Sequence, residues 1–185
     1  MIAHMETYRF SVEEYDKLGE VGIFHEDDRV ELLDGEIVIM APIGKHHIKA
    51  VRRLLNRLVK KYGDLCYVDC QSPVVLDNFS EPQPDILLVA LSIDESDEKP
   101  RPADIFLAVE VADSSLHYDS TAKLRAYARS GIPEYWLVNL TEMEVQVYRQ
   151  PQDERYLESF RRSPGEMLAP AAFADRSIAV AEILP

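Results

Sequence analysis

Two stretches of this chain are almost wholly apolar, yet each carries a carboxylate. Residues 85–91 read Asp-Ile-Leu-Leu-Val-Ala-Leu, and residues 104–112 read Asp-Ile-Phe-Leu-Ala-Val-Glu-Val-Ala, with Glu110 inside the run. Short runs without polar alternation are expected of strands covered on both faces. Such strands need helices above and below them. This restricts the chain to an α/β or α+β architecture, a mixed central sheet flanked by helices. At 185 residues the chain can bury a real core, and no shift in composition marks a boundary, so a single domain over 1–185 is expected.

The remaining pattern supplies helices and further strands. Ser11-Val12-Glu13-Glu14 is a capping box, which predicts a short helix ending near Lys17 or Leu18. Residues 29–40 predict a hairpin with Asp34-Gly35 at its turn. Over 46–62, Ile48, Val51, Leu54, Leu55, Leu58, Val59 and Tyr62 recur at helical spacing, and Gly63 is placed to stop the helix. Residues 65–69 and 73–76 are short strand candidates. Asp119 or Ser120 is expected to cap a helix ending at Ser130-Gly131, and 134–140 and 144–149 read as strands joined by a turn. The tail from Pro164 is less regular.

Composition narrows the setting. With 46% hydrophobic and 29% charged residues, the mixture is that of a soluble globular protein. No apolar run approaches the ~20 residues that a membrane-spanning helix needs. Met1 to Phe10 also lacks the apolar stretch of a signal peptide, so a cytoplasmic chain without membrane contact is expected. Cys66 and Cys70 are the only cysteines, and no histidines stand at zinc-finger spacing. They read as buried thiols, not as a structural zinc site.

The net charge of −13 at pH 7 argues against a polyanionic partner for the surface as a whole. Positive charge is nevertheless concentrated on one predicted helix. Lys45, Lys49, Arg52, Arg53, Arg57, Lys60 and Lys61 have no acidic residue among them. That face is either solvated and answered by the acidic patch Asp94-Glu95-Ser96-Asp97-Glu98, or a track for phosphates.

An ionised carboxylate on a doubly covered strand is costly unless a cation or hydrogen bonds compensate it. Asp85, directly after Pro84, and Glu110 on a neighbouring strand would form an oxygen-rich pocket that suits Mg²⁺ or Mn²⁺ better than Zn²⁺. Alternatively, each acid is satisfied separately, Asp85 by capping a turn and Glu110 by an arginine. Lys123 follows on the next helix, whose first turns can fold back over the strand end. Otherwise it is an exposed lysine.

Pro84-Asp85, then Glu110 in the next strand, then a lysine is similar to the motif of the PD-(D/E)xK nuclease superfamily. The surrounding text is more specific. It includes Glu31-Leu32-Leu33-Asp34-Gly35-Glu36, Met40-Ala41-Pro42, a histidine before the long helix, and Gln83-Pro84-Asp85. It continues with Val109-Glu110-Val111, Asp119, Lys123, Tyr127 and Gly131-Ile132-Pro133-Glu134-Tyr135-Trp136-Leu137-Val138. Together these resemble the Uma-two family of putative restriction endonucleases over about residues 8–150.

The resemblance implies a restriction-endonuclease-like fold and a Mg²⁺-dependent (or Mn²⁺-dependent) endodeoxyribonuclease, with DNA as partner and a homodimer as assembly. It implies Asp85 and Glu110 as metal ligands, with Glu31 joining them directly or through water. The superfamily's usual lysine position, two residues after the acid, is Ala112 here. The resemblance therefore passes the catalytic lysine role to Lys123. Along the basic helix, Lys45, His47, Lys49, Arg52 and Arg53 are the candidates for nucleic-acid contact; of His46 and His47, one could contact phosphate or act near the site, the alternative being a surface histidine. Glu31 could instead be an ordinary hairpin residue paired with Arg29 or another base. Tyr127, one turn after Lys123, either hydrogen-bonds the site or packs in the core; Trp136 reads as core and Glu36 as exposed. Two rivals stand beside the nuclease. One is a catalytically inactive module that keeps the fold for binding or assembly, for which the acidic charge speaks. The other is a hydrolase of RNA or of small phosphodiesters, which the same metal chemistry would serve.

Overall fold

In the computed structural model, residues 6–25, 27–95 and 97–185 are described. Residues 1–5, Glu26, Ser96 and the side chains of Asp94 and Glu95 lie outside them, and with them part of the segment read for a leader and part of the acidic patch. The chain runs α1 (Val12–Glu20), β1 (Val30–Leu33), β2 (Glu36–Ile39), α2 (Lys45–Tyr62), β3 (Tyr67–Cys70), β4 (Ile86–Val89) and β5 (Ile105–Ala112). It continues with α3 (Leu116–Tyr118), a π-helical turn at Asp119–Lys123, α4 (Leu124–Arg129), β6 (Glu134–Asn139), β7 (Glu144–Gln152) and β8 (Arg155–Arg162). The pair β9 (Met167–Leu168) and β10 (Ile178–Ala179) and the short α5 (Val180–Ile183) close the chain.

The two apolar runs lie side by side in a six-stranded sheet of order β3-β4-β5-β6-β7-β8. Only β5 and β6 are parallel; every other neighbouring pair is antiparallel. A parallel pair needs a crossover, and the helical segment from α3 to α4 provides it. Strand alternation divides the apolar side chains between two cores. On one face Ile86, Leu88, Leu107, Val109, Val111 and Trp136 pack with Ala50, Leu54, Leu58 and Tyr62 of α2. On the other, Leu87, Val89, Ala108, Ala112 and Leu137 pack with Leu33 of β1 and with Ala126 and Tyr127 of α4. The mixed sheet between helices expected from the two runs is the fold observed.

The local signals act as their chemistry requires. The Ser11 hydroxyl accepts from the Glu14 amide, and the Glu14 carboxylate accepts from the Ser11 amide. Asp34 and Gly35 both have positive φ at the turn of the β1–β2 hairpin. Gly63 ends α2 with ordinary right-handed φ; its lack of a side chain matters because a Cβ there would stand 2.6 Å from the Val59 carbonyl oxygen.

Other expectations need correction. Residues 73–76 form no strand. The amides of Val74, Val75 and Leu76 donate to Pro82, Pro100 and Ser80 across irregular loops. The helix after β5 starts at Leu116, before Asp119, which lies inside the helical segment. β8 was unread because it is an edge strand with mostly exposed residues, so it carries little apolar alternation. Cys66 is buried and Cys70 partly buried, and both are free thiols. Among the described residues no helix is long and apolar enough to cross a membrane.

Candidate active site

Register brings the two acids together. In the β4–β5 ladder Ile86 pairs with Val109, Leu87 with Ala108 and Leu88 with Leu107. One step further along that antiparallel register, Asp85 stands opposite Glu110, on the sheet face that carries Leu87 and Ala108. The Val111 amide donates to Asp85 Oδ2 at 2.8 Å and fixes this juxtaposition. Both acids are almost fully buried, Asp85 at 6% exposure and Glu110 at 4%.

The helical segment supplies the cation. Lys123 ends the π-helical turn, and such turns re-aim a helix face over a site. Its ammonium lies 2.9 Å from Glu110 Oε1. Tyr127, four residues on and so on the same helical face, donates to that same oxygen at 2.7 Å. Glu31 comes from β1 and is fully buried. Its Oε2 lies 3.1 Å from the Lys123 ammonium and accepts from the Gln83 amide at 3.1 Å, while its Oε1 has no hydrogen-bond partner among the described residues. The base that pairs with Glu31 is thus Lys123 and not Arg29, which donates to the Ala41 carbonyl.

His47 reaches the site from the first turn of α2, with Nε2 at 3.0 Å from Asp85 Oδ2. Gln71 Nε2 lies 3.5 Å from Asp85 Oδ1. Lys45, Lys49, Arg52 and Arg53 are exposed along α2, and Arg53 donates to the Leu184 carbonyl. His46 and Glu36 are exposed, and Trp136 is buried core.

Asp119, Ser115, Tyr118 and Gln71 also line the cleft, beyond the residues read as site members from sequence. Asp119 is buried and accepts from the Ser115 hydroxyl at 2.5 Å. A signal for Asp119 existed: Asp119, Lys123 and Tyr127 recur every four residues and so share one helix face. The Tyr118 hydroxyl is buried beside the Glu31 carboxylate without a hydrogen bond of good geometry. The whole forms a cleft of about 640 Å³ whose floor is Glu31, Asp85, Glu110, Asp119 and Lys123.

The electrostatics follow from crowding acids around one ammonium. Burial pushes the Glu110 carboxyl well above the usual glutamate range. Lys123 opposes that rise, and Asp119, Asp85 and Glu31 add to it. Burial also raises Asp119. For Lys123, burial alone disfavours the charge, but Glu110, Glu31 and Asp119 outweigh it and hold the ammonium protonated. Four carboxylates sharing the cleft floor with one lysine leave negative charge that a further cation would compensate.

The donor set fits a hard divalent ion of limited demand. Among the described residues no three His, Cys, Asp or Glu side chains are grouped so as to hold one ion. Mg²⁺, however, usually takes one or two carboxylates and keeps several waters. Both described hydrogen bonds of Glu110 fall on Oε1, and the short ones of Asp85 fall on Oδ2. That leaves Glu110 Oε2 and Asp85 Oδ1 as the donors for a cation, with the unpartnered Glu31 Oε1 as a further acceptor.

The fold has relatives. The chain is similar to the crystal structure of a "putative nuclease belonging to DUF820" from Anabaena variabilis, with TM-score 0.73 and 15% identity over 94% of this chain and 97% of that one. No curated protein matches the chain. The profile of the Uma2 family, described as "Putative restriction endonuclease", matches residues 12–181. The match takes in every residue of the cleft floor as well as the sheet that positions them, and the chain belongs to the Uma2 family.

Proposed function

We propose that the chain is a Mg²⁺-dependent (or Mn²⁺-dependent) nuclease that hydrolyses phosphodiester bonds within DNA. The observation that carries this reading is the meeting of two buried carboxylates, Asp85 and Glu110, with a buried lysine at the floor of an open cleft. A bound divalent ion would neutralise phosphate charge there and lower the pKa of a water that attacks phosphorus.

The chain's own groups have separable tasks. Asp85 and Glu110 would hold the ion. The Val111 amide and His47 engage Asp85 Oδ2, which orients the carboxylate and leaves Oδ1 with only the long Gln71 contact. Tyr127 orients Glu110 in the same way. Glu31 and Glu110 hold the Lys123 ammonium charged beside the place a phosphate would occupy, where it can stabilise the charge that builds on phosphate oxygens. The exposed Lys45, Lys49, Arg52 and Arg53 would contact the DNA backbone. The family resemblance also leads us to expect a homodimer.

The test is cleavage of plasmid DNA with and without MgCl₂. Asp85→Ala and Glu110→Ala should each lose at least about a hundredfold in rate, as removal of a group that stabilises transition-state charge does. Variants that cut as fast as the parent would show that the site is elsewhere.

One observation favours a second reading, an inactive module. Lys123 already answers Glu31 and Glu110, as a purely structural ion-pair network would. On that reading MnCl₂ would leave the melting temperature unchanged. On the nuclease reading it raises the melting temperature, and Asp85→Ala removes the rise.

A further inference from the structure

The acids lie deep, and the wall beside them is apolar. Glu31, Asp85, Glu110 and Lys123 are each at most 6% exposed, so a phosphate must descend into the cleft to meet them. One wall is the end of β2 with the segment that joins it to α2. There Ile39 is 82% exposed, Met40 is half-buried and Pro42 is exposed, all lining the cleft that the acids floor. The Ala41 carbonyl accepts from Arg29, and the Met40 amide donates to the Arg29 carbonyl at 2.8 Å, so this aliphatic lip is held in place.

We propose that the cleft accepts an unpaired DNA strand, with the base next to the scissile phosphate laid against Ile39, Met40 and Pro42 and the adjoining backbone running along α2. The proposal rests on the nuclease reading for the identity of the reacting group, and three observations carry the strand preference.

The first is size. A volume of about 640 Å³ falls in the range of about 300–1,000 Å³ typical of sites that enclose a small molecule. One or two nucleotides of a single strand can enter such a space, whereas a duplex is a stiff rod with its bases locked inward.

The second is the lip. An exposed aliphatic surface beside the acids has no partner on a duplex backbone, which is sugar and phosphate. The face of an unstacked base does match it, as bases taken out of the stack are held against aromatic or apolar side chains.

The third is charge. A duplex carries about one charge per 1.7 Å, twice the density of one of its strands, and this protein has a net charge of −13. Repulsion from the rest of the surface therefore penalises a duplex more. The compensating charge is one row on one helix: α2 carries seven of the chain's 20 basic residues and none of its 33 acidic ones. Its 18 residues make a track about 27 Å long at 1.5 Å per residue. The track starts at the cleft, which Gly44 and His47 line. Among the described residues Lys45, Lys49, Arg52 and Lys60 form no salt bridge, so their charge is available to one phosphate backbone.

The test is fluorescence anisotropy in EDTA. A labelled 20-nucleotide single strand is compared with the same sequence closed at both ends as a dumbbell duplex. The single strand should bind at least about tenfold more tightly, a difference of about 1.4 kcal/mol. Ile39→Glu should weaken single-strand binding by about fivefold or more, the scale of losing one base contact, and leave dumbbell binding unchanged. Lys49→Glu combined with Arg52→Glu should weaken the single strand and flatten its salt dependence. All these positions are exposed, so the fold should survive, and a melting curve checks this.

Equal or tighter binding of the dumbbell, no binding of either probe, or an Ile39→Glu variant that binds the strand as the parent does would each overturn the proposal. A cleavage arm with MnCl₂ compares circular single-stranded DNA with relaxed circular duplex. Cutting both circles equally fast overturns the strand preference and leaves the nuclease reading standing. Cutting neither circle, with the anisotropy preference intact, defeats the nuclease reading and supports the cleft as a single-strand site.

Discussion

Lys123 holds together groups that would otherwise repel. Its ammonium is 2.9 Å from Glu110 and 3.1 Å from Glu31, with almost no exposure on any partner. Replacing it by methionine keeps the bulk and leaves two buried carboxylates uncompensated. We expect Lys123→Met to cost about 3–5 kcal/mol at neutral pH, measured by urea unfolding. The loss has a definite pH dependence. Burial already raises the folded pKa of Glu110 above its unfolded value. A carboxyl raised in this way stabilises the folded state fully below the unfolded pKa and loses that contribution as pH rises through the folded pKa. Removing the ammonium raises that pKa further. The deficit of Lys123→Met should therefore shrink as pH falls from 8 toward the ordinary glutamate range near about 4.3. A deficit independent of pH would mean that the ion pairs are not its cause. Tyr127→Phe tests the neighbouring contact. Losing the hydroxyl that donates to Glu110 at 2.7 Å should cost about 1–3 kcal/mol, since a buried charged acceptor loses a donor.

At the scale of elements, the hairpin and the helical crossover matter most to the site. β1 delivers Glu31, and its register depends on the Asp34-Gly35 turn. Gly35 has φ +79, and a Cβ there would stand 2.5 Å from the Arg9 Cβ. Gly35→Ala is thus both strained and crowded. It should destabilise by about 1–3 kcal/mol, read as a lower urea midpoint at unchanged slope. By contrast, Ser11→Ala removes one side of a capping box on a helix with no buried residues and should cost about 1 kcal/mol. These elements were legible because their signals are local: turn residues, a cap and apolar spacing. The loop at 73–76 and strand β8 were not. The first has the composition of a strand but spends its amides on loop carbonyls. The second is paired along one edge only and carries mainly polar side chains.

At the scale of the molecule, charge is distributed unevenly, and the consequence is measurable. A polyanion held by α2 is held against a net charge of −13, so its binding should fall steeply with salt. If three basic side chains each meet a phosphate, log K should fall with log salt at a slope of about −2, given about −0.7 per phosphate for a single strand. Lys49→Ala should reduce that slope by about one phosphate's share. Assembly is a separate question. The expected homodimer would sediment at twice the chain mass of 21.1 kDa, and a species at 21.1 kDa across micromolar concentrations would exclude it.

By itself the sequence determined the doubly covered strands, the amphipathic α2, the hairpin turn, and Asp85 and Glu110 as acids in an apolar setting. Those follow from periodicity and turn chemistry, which act over a few residues. The tertiary structure decided which groups meet. Glu31 lies 92 positions before Lys123 yet holds its ammonium, His47 and not His46 reaches Asp85, and Asp119 faces into the cleft instead of opening a helix. Apolar spacing records that a face is covered without recording what covers it. Strand register and helix packing place the partners, and a buried carboxylate then takes whichever donor that packing brings within reach.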